Sequence, residues 1–539
     1  MDKPRHAASE RAAMNVEHMR MAADAASVQT ANGARSWWES RWFLALVVAA
    51  TMLPLIYPPI PPLVDLFGHM GRYRVELDLN HSRWLQQYFD YHWAAIGNLG
   101  VDLLVLLLGP IMGVEPAVKL IVILIPPLTA IGFLWVAREV HGRVPPTAFF
   151  ALPFIYGYPF LFGFVNFTLS VALAFLAFGL WLRLGRLERT ALRSWLFVPI
   201  SLVIFFAHTY GWGLLGLMCF SADAVRLHDR GRSWWRAGLE AALHTSVMAL
   251  PLIVMFIWRS ETHGGQIFGW FEWKMKWRWI YSALRDRWKW FDIGSLAIAA
   301  LVFLYAIANR IFGRILTLSR NLVFSAIVLA VAFVILPRIV FGSAYADMRL
   351  VPYLMAVGLL AIRFRGAPHG TTAKVLAVLG LLFFATRTVA NTISLGIAGQ
   401  DQSAKLTALE HVPEGARVIT LTGMTCSEYW PMLRNSHLGA MVIVRRDGFS
   451  NDQWLLEGVN LLDLKYRAAG YFAADPSQLV RPNRCIDGLH RQIDNSLAAL
   501  PRNDFDYVWL IDVPPYDGSL VSDLRVAWRG PTSVLYRLH

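Results

Sequence analysis

The sequence predicts a mostly α, polytopic membrane protein with about eleven transmembrane helices and a C-terminal α/β domain. Three observations predict it. The 539 residues are 56% hydrophobic and only 16% charged, where a soluble domain carries roughly a quarter charged residues. A soluble chain of this length has too little interior to hide that much apolar surface. The apolar residues also come in blocks of about 20, the length that crosses a ~30 Å hydrocarbon layer. Past residue 396 the blocks stop and mixed, charged sequence takes over. Disordered, collagenous and ordinary soluble-enzyme classes are excluded. The net charge of +13 is then first an orientation signal in loops, not a nucleic-acid surface.

Residues 1–40 read as a polar cytoplasmic tail, with mixed charges such as Lys3, Arg5, Glu10 and Arg11 and no apolar stretch of a signal peptide. Trp37, Trp38 and Trp42 mark the interface. Residues 41–395 form the transmembrane part. Its first span covers 42–58, and a first outer loop follows over 60–116. Within that loop the apolar run 99–112, broken by Asp102, has the size of a re-entrant or interfacial helix. Further spans cover 117–137, 145–162, 165–182, 195–208, 210–225, 240–258, 292–309, 321–340, 349–363 and 374–392. With the tail inside, the arginine-rich loops at 138–143, 183–193, 226–236, 310–320 and 363–374 fall on one side. The loops at 163–166, 208–211 and 341–347 contain no Lys or Arg and fall outside. A second outer loop, 259–290, breaks this rule with Arg259, Lys274, Lys276, Arg278, Arg285, Arg287 and Lys289 among its tryptophans. It fits a membrane interface or a solvated amphipathic helix equally.

Residues 396–539 read as a periplasmic α/β domain. Strands are expected at 417–422, 441–444, 507–511 and 533–536, and a helical piece at 403–410. Cys426 and Cys485 both fall there, so an oxidising compartment permits a disulfide, while Cys219 lies in a span.

No phosphate-binding glycine loop, zinc motif or nucleophile elbow occurs. The informative segment is Pro58-Pro59-Ile60-Pro61-Pro62-Leu63-Val64-Asp65-Leu66-Phe67-Gly68-His69-Met70-Gly71-Arg72. If a helix follows the prolines, Asp65, His69 and Arg72 share one face. A carboxylate beside an imidazole and a guanidinium can take a proton from a hydroxyl, or hold a phosphate or a metal. The same spacing suits a capping Asp with a surface His. On the same expected side stand His208 and Tyr210 at one hairpin tip, Asn166 at another, and Tyr345, Asp347 and Arg349 at the mouth of a late span. Arg349 can bind a phosphate or pair with Asp347, and Arg338 is a weaker candidate for the first role. His69, His81 and His92 with Asp78 and Asp90 leave a divalent metal open, without a standard ligand spacing.

An Asp65-x-x-x-His69-x-x-Arg72 pattern right after the first span resembles the GT-C superfamily of membrane glycosyltransferases. The likeness extends to the short helix 99–112, to Gly113-Val114-Glu115-Pro116 leading into the next span, and to Tyr345-Ala346-Asp347-Met348-Arg349-Leu350. The resemblance implies an inverting hexosyl or pentosyl transferase of the bacterial inner membrane. Its donor would be a polyprenyl-phosphate-linked sugar, and its acceptor a glycan, lipid or protein outside the cytoplasm. It implies Asp65 as general base or acceptor-positioning carboxylate, with His69 beside it. Arg72, His208, Tyr210, Asn166, Tyr345, Asp347 and Arg349 are then substrate-binding candidates. Relatives often carry a second acid close by. Here Glu76, Asp78 and Asp90 lie further along, so the second acid and any metal stay open. A transporter or flippase of a lipid-linked or anionic solute, or a non-catalytic assembly protein, is the alternative. The spans carry few charges and the polar groups gather at one face, which favours surface chemistry.

Overall fold

A computed structural model describes residues 36–261, 266–313, 315–366, 370–427, 429–455, 460–486, 488 and 490–539. The polar tail as far as residue 35, Arg314 and the side chain of Arg259 lie outside the described residues.

Among the described residues, five helices are long and apolar enough to cross a membrane: Val114–His141, Val165–Arg186, Thr190–Ala207, Lys289–Phe312 and Thr371–His411. A sixth exists if Trp234–Met248 and Leu250–Ile257, bent by 60°, count as one span. The remaining expected crossings fall on the shorter apolar helices Arg41–Ile56, Pro146–Phe162, Arg320–Ile335 and Met348–Leu360, and on Thr209–Asp229, which has the length but is less apolar. Prolines account for part of this shortfall. The 145–162 run contains Pro146, Pro153 and Pro159 and is wound largely as a 3-10 helix, Pro146–Tyr156. Each proline removes a backbone donor and clashes with the preceding turn. The 195–225 stretch does divide, at His208, whose backbone is extended (φ −170°, ψ 132°).

Buried ion pairs among the described residues include Arg193 with Asp223 at 2.8 Å, Arg387 with Asp292 at 2.7 Å and Lys276 with Asp347 at 3.2 Å. All six side chains are almost fully buried. The spans are thus less free of charge than their hydropathy suggests, and each charge has its counterion, as a low-dielectric interior requires.

Helix Thr371–Leu406 runs without a break from the apolar bundle into the C-terminal region and takes in the first half of the helical piece expected at 403–410, the rest being the 3-10 turn Thr407–His411. A mixed sheet follows. Its strand order is Phe449–Ser450, Arg417–Gly423, Tyr507–Ile511, Ser533–Arg537, Arg525–Arg529, and Leu479–Val480 also pairs with Arg417–Gly423. The pairings to Arg417–Gly423 are parallel and the last two are antiparallel. The strand expected at 441–444 is instead helical, within Met441–Arg446. A four-residue apolar run that is almost wholly buried fits either state, and here it packs as a helix against Leu66–Asp78. Cys426 and Cys485 form a disulfide, and Cys219 is free and buried.

The sheet region is seated on the first loop. Phe89–Tyr91 pairs antiparallel with Leu462–Leu464. Arg74 pairs with Asp447 at 2.9 Å, Arg445 with Glu115 at 2.7 Å, and Gln453 donates to the Gly68 carbonyl at 3.1 Å.

Candidate active site

Asp65 caps the helix Leu66–Asp78, the element expected from the proline run, and the His69 amide donates to the Asp65 carbonyl at 3.1 Å. The chain before it is held against a second hairpin: the Val64 and Asp65 amides donate to the Leu161 and Phe162 carbonyls. That approach depends on Gly163. Its φ of +100° is in the left-handed region, and a Cβ there would stand 2.8 Å from the Asp65 nitrogen.

The Asp65 side chain, 13% exposed, faces the C-terminal region. His437 Nε2 lies 3.8 Å from Asp65 Oδ1 and 3.9 Å from Asp475 Oδ1. The other ring nitrogen, Nδ1, is 3.0 Å from the Asp452 carbonyl, which fixes the ring. Asp475 is oriented by Gln478, which donates to it at 2.7 Å. Trp454 completes the wall, its ring 4.4 Å from His437 and 5.1 Å from His69. Gly68 makes room for it, since a Cβ at that position would come within 2.5 Å of the indole.

Burial, and after it the charge of Asp475, holds the Asp65 carboxyl well above the ordinary carboxylate range, while Arg349 pulls it back. Burial, then Arg72, His437 and Arg349, holds His69 well below the usual imidazole value. Burial likewise lowers His437, against the pull of Asp475 and of the Asp452 carbonyl. Both imidazoles are thus biased toward the neutral form beside a carboxyl of raised proton affinity. His69 Nδ1 is buried with no hydrogen-bond partner.

Arg349 is near enough for its charge to act on Asp65. Nη1 is 2.9 Å from His208 Nε2, and Nη2 donates to Ser343 Oγ and the Ala344 carbonyl at 3.3 and 3.2 Å. Its guanidinium carbon lies 4.1 Å from the Phe164 ring centre and 5.1 Å from that of Tyr210. Nε is buried without a partner. Tyr345 stacks nearby, 5.6 Å from Phe162 and 6.4 Å from Phe164, with Arg338 over its ring at 5.4 Å.

The structure therefore brings Asp65, His69, Arg349, His208, Tyr210 and Tyr345 to one end of the bundle. It places the other expected residues elsewhere. Arg72 turns into a buried pair with Asp102 at 2.7 Å, and Asn166 donates to the same carboxylate at 2.9 Å and accepts from the Val101 amide. Those two bolt the helix Gly100–Met112 to its neighbours. Asp347 does not pair with Arg349; it caps Met348 and receives Lys276. That pair also anchors the aromatic-basic segment through helix Trp273–Tyr281, where Lys276 and Trp279 are buried while Trp273 and Trp277 stay exposed. Arg338 is 3.5 Å from Glu272. His92 meets only Asp90 and Asp463, at 3.8 and 3.5 Å on the surface. Among the described residues no group of three or more His, Cys, Asp or Glu is arranged to hold a metal ion.

His437 and Asp475 carried no sequence signal. They lie in mixed sequence far from any span, and only the seating of the C-terminal region on the first loop, by strand pairing, helix packing and hydrogen bonds, brings them to Asp65. Asp475 is a second carboxylate at His437, contributed by the C-terminal region.

No known family model matches the chain, and no curated protein sequence does. Two solved structures align with 92% of the chain. One is ArnT from Cupriavidus metallidurans in the apo state, with a TM-score of 0.49, 13% identity and 97% of that chain covered. The other is the same protein bound to undecaprenyl phosphate, with a TM-score of 0.46, 12% identity and 97% covered. At such identity no site residue is carried from one chain to the other.

Proposed function

We propose that the chain is an integral membrane glycosyltransferase that moves a sugar from a polyprenyl-phosphate carrier to a hydroxyl acceptor outside the cytoplasm. One observation carries this reading: Asp65, a carboxylate of raised proton affinity, lies 3.8 Å from His437, which lies 3.9 Å from Asp475, and feels the charge of the Arg349 guanidinium. Those are the groups that glycosyl transfer from a phosphate requires.

The acceptor hydroxyl gives its proton to Asp65 as its oxygen attacks the anomeric carbon. The bond from that carbon to the phosphate oxygen breaks, and its electron pair leaves on the phosphate. Arg349 opposes the charge that builds there, with Nε free to donate. His437 and Asp475 keep Asp65 in place and tune its proton affinity. His69, neutral and with Nδ1 open, positions the acceptor. Tyr210, Tyr345 and the flanking phenylalanines bound the sugar. The apolar helix faces beside this end take the carrier's tail, in the bacterial inner membrane with the C-terminal region periplasmic.

The test is transfer by the purified full chain in proteoliposomes supplied with a panel of polyprenyl-phosphate sugars and envelope lipids. A glycosylated product with free polyprenyl phosphate released is the expected result. Sugar-carrier movement across the bilayer with no bond change would contradict it and favour the flippase.

A further inference from the structure

The end of the bundle remote from Asp65 carries a second built feature. Helix Val165–Arg186 starts beside Asp65 and ends 22 residues later, a rise of roughly 33 Å. At its far end lies a cleft of about 860 Å³ lined by eight arginines and three acids, Glu139, Asp223 and Asp229. The acids are already engaged. Asp223 is chelated by Arg193 at 3.0 and 2.8 Å, Glu139 receives Arg186 at 2.8 Å, and Asp229 pairs with Arg320.

Arg226 lies 3.7 Å from Asp223 and Arg230 pairs with Glu188 at 2.7 Å, which leaves three of the eight arginines. Arg310, Arg363 and Arg365 are exposed, and among the described residues no carboxylate pairs with them. Their placement is rigid. Arg363 and Arg365 sit two residues apart on the strand Ile362–Phe364 and just beyond it, with Phe364 buried between them, so both point to one face. That strand pairs antiparallel with Leu316–Leu318, and Thr317 stands opposite Arg363. Arg365 also donates to the carbonyl of Arg310 at 3.1 Å, drawing the third arginine to the same edge. Three exposed arginines lining one cleft, with no carboxylate paired to them among the described residues, suit a phosphate.

The cleft opens into an apolar groove of about 400 Å³, and the two share Val225, Arg310, Leu318 and Arg320. Trp234, Ile311 and Phe324 line its length. A free phosphate has no use for such a groove, whereas an acyl chain attached to a phosphate fills it. We infer that this end of the protein holds an anionic phospholipid, its phosphate on Arg310, Arg363 and Arg365 and one acyl chain in the groove lined by Ile311 and Phe324. Such a site is separate from any donor site at Asp65 and does not depend on the proposed transfer reaction. Basic pockets between helix ends are the recurring form of anionic-lipid recognition.

The experiment is native mass spectrometry of the full chain in detergent, titrated with phosphatidylglycerol or phosphatidylcholine. Phosphatidylglycerol is expected to bind with a defined stoichiometry and phosphatidylcholine far more weakly. Arg310→Gln/Arg363→Gln/Arg365→Gln together should weaken phosphatidylglycerol about 100-fold, at roughly tenfold or less per arginine. Arg183→Gln/Arg189→Gln/Arg236→Gln removes equal charge outside the cleft and should leave the bound lipid in place. Ile311→Trp should fill the groove and weaken lipid binding on its own. Equal loss in both triple variants, or equal binding of the two lipids, would overturn the site. Displacement of phosphatidylglycerol by inorganic phosphate at equal concentration, with Ile311→Trp silent, would overturn the lipid as its occupant.

Discussion

His437 sets its Nε2 3.8 Å from Oδ1 of Asp65, so a residue of the C-terminal region closes on the carboxylate at the start of the first helix after the prolines. The site thus needs both ends of the chain. Five predictions follow from that arrangement and from the residues around it.

Arg349 and Arg72 stand in the same proposed role at sequence level, and the structure separates them. Arg349→Ala removes a charged donor whose Nε is unsatisfied. It should weaken polyprenyl-phosphate binding about 10- to 100-fold, the range of a charge-assisted hydrogen bond. Fluorescence titration of the purified protein with the carrier lipid reads this directly, and unchanged affinity would remove Arg349 from the donor site.

Arg72→Gln instead leaves Asp102 buried and uncompensated. It should cost about 3–5 kcal/mol of stability, read as a lower thermal midpoint in detergent, while the folded fraction keeps its carrier affinity. Replacing both residues with leucine should recover most of the loss.

The pH profile follows from Asp65. Its carboxyl is raised by burial and by Asp475, so the active carboxylate form appears only as pH climbs past that raised value. kcat/KM should rise along an acid limb displaced above the ordinary carboxylate range. Asp475→Asn removes the like charge and should move the limb to lower pH. A limb unaffected by Asp475→Asn would separate the two acids.

The same shift has a stability sign. A carboxyl whose folded pKa is raised favours the folded state while protonated, below its unfolded value near 3.8, and loses that contribution as pH rises through the folded value. Asp65→Asn should therefore raise the thermal midpoint at pH 7 and change it little at acid pH. Calorimetry at the two pH values checks the sign.

Much of this was readable in sequence, for physical reasons. Apolar blocks and arginine-rich loops report the bilayer directly, and a polar residue at a helix break, such as His208 or Arg349, stands out against them. What stayed hidden depends on lateral contact. Arg72 and Asn166 have the right spacing, but their partner Asp102 comes from a different helix. Asp475 and His437 reach Asp65 through tertiary contacts between the C-terminal region and the first loop, among them the packing of Met441–Arg446 on Leu66–Asp78, the Gln453–Gly68 hydrogen bond and the pairing of Phe89–Tyr91 with Leu462–Leu464. Among the described residues only five or six helices meet the length and apolarity of a full crossing, for a related reason. Hydropathy sums apolar residues without seeing that the prolines in Pro146–Tyr156 wind them into a 3-10 helix.

The most direct measurement is the single-turnover rate of sugar transfer by Asp65→Asn at saturating lipid-linked donor. Loss of a general base costs about 10²–10⁴-fold. The variant should fall by that much while its fold, its Cys426–Cys485 disulfide and its carrier affinity persist. A folded Asp65→Asn that transfers sugar at the wild-type rate would contradict the central claim.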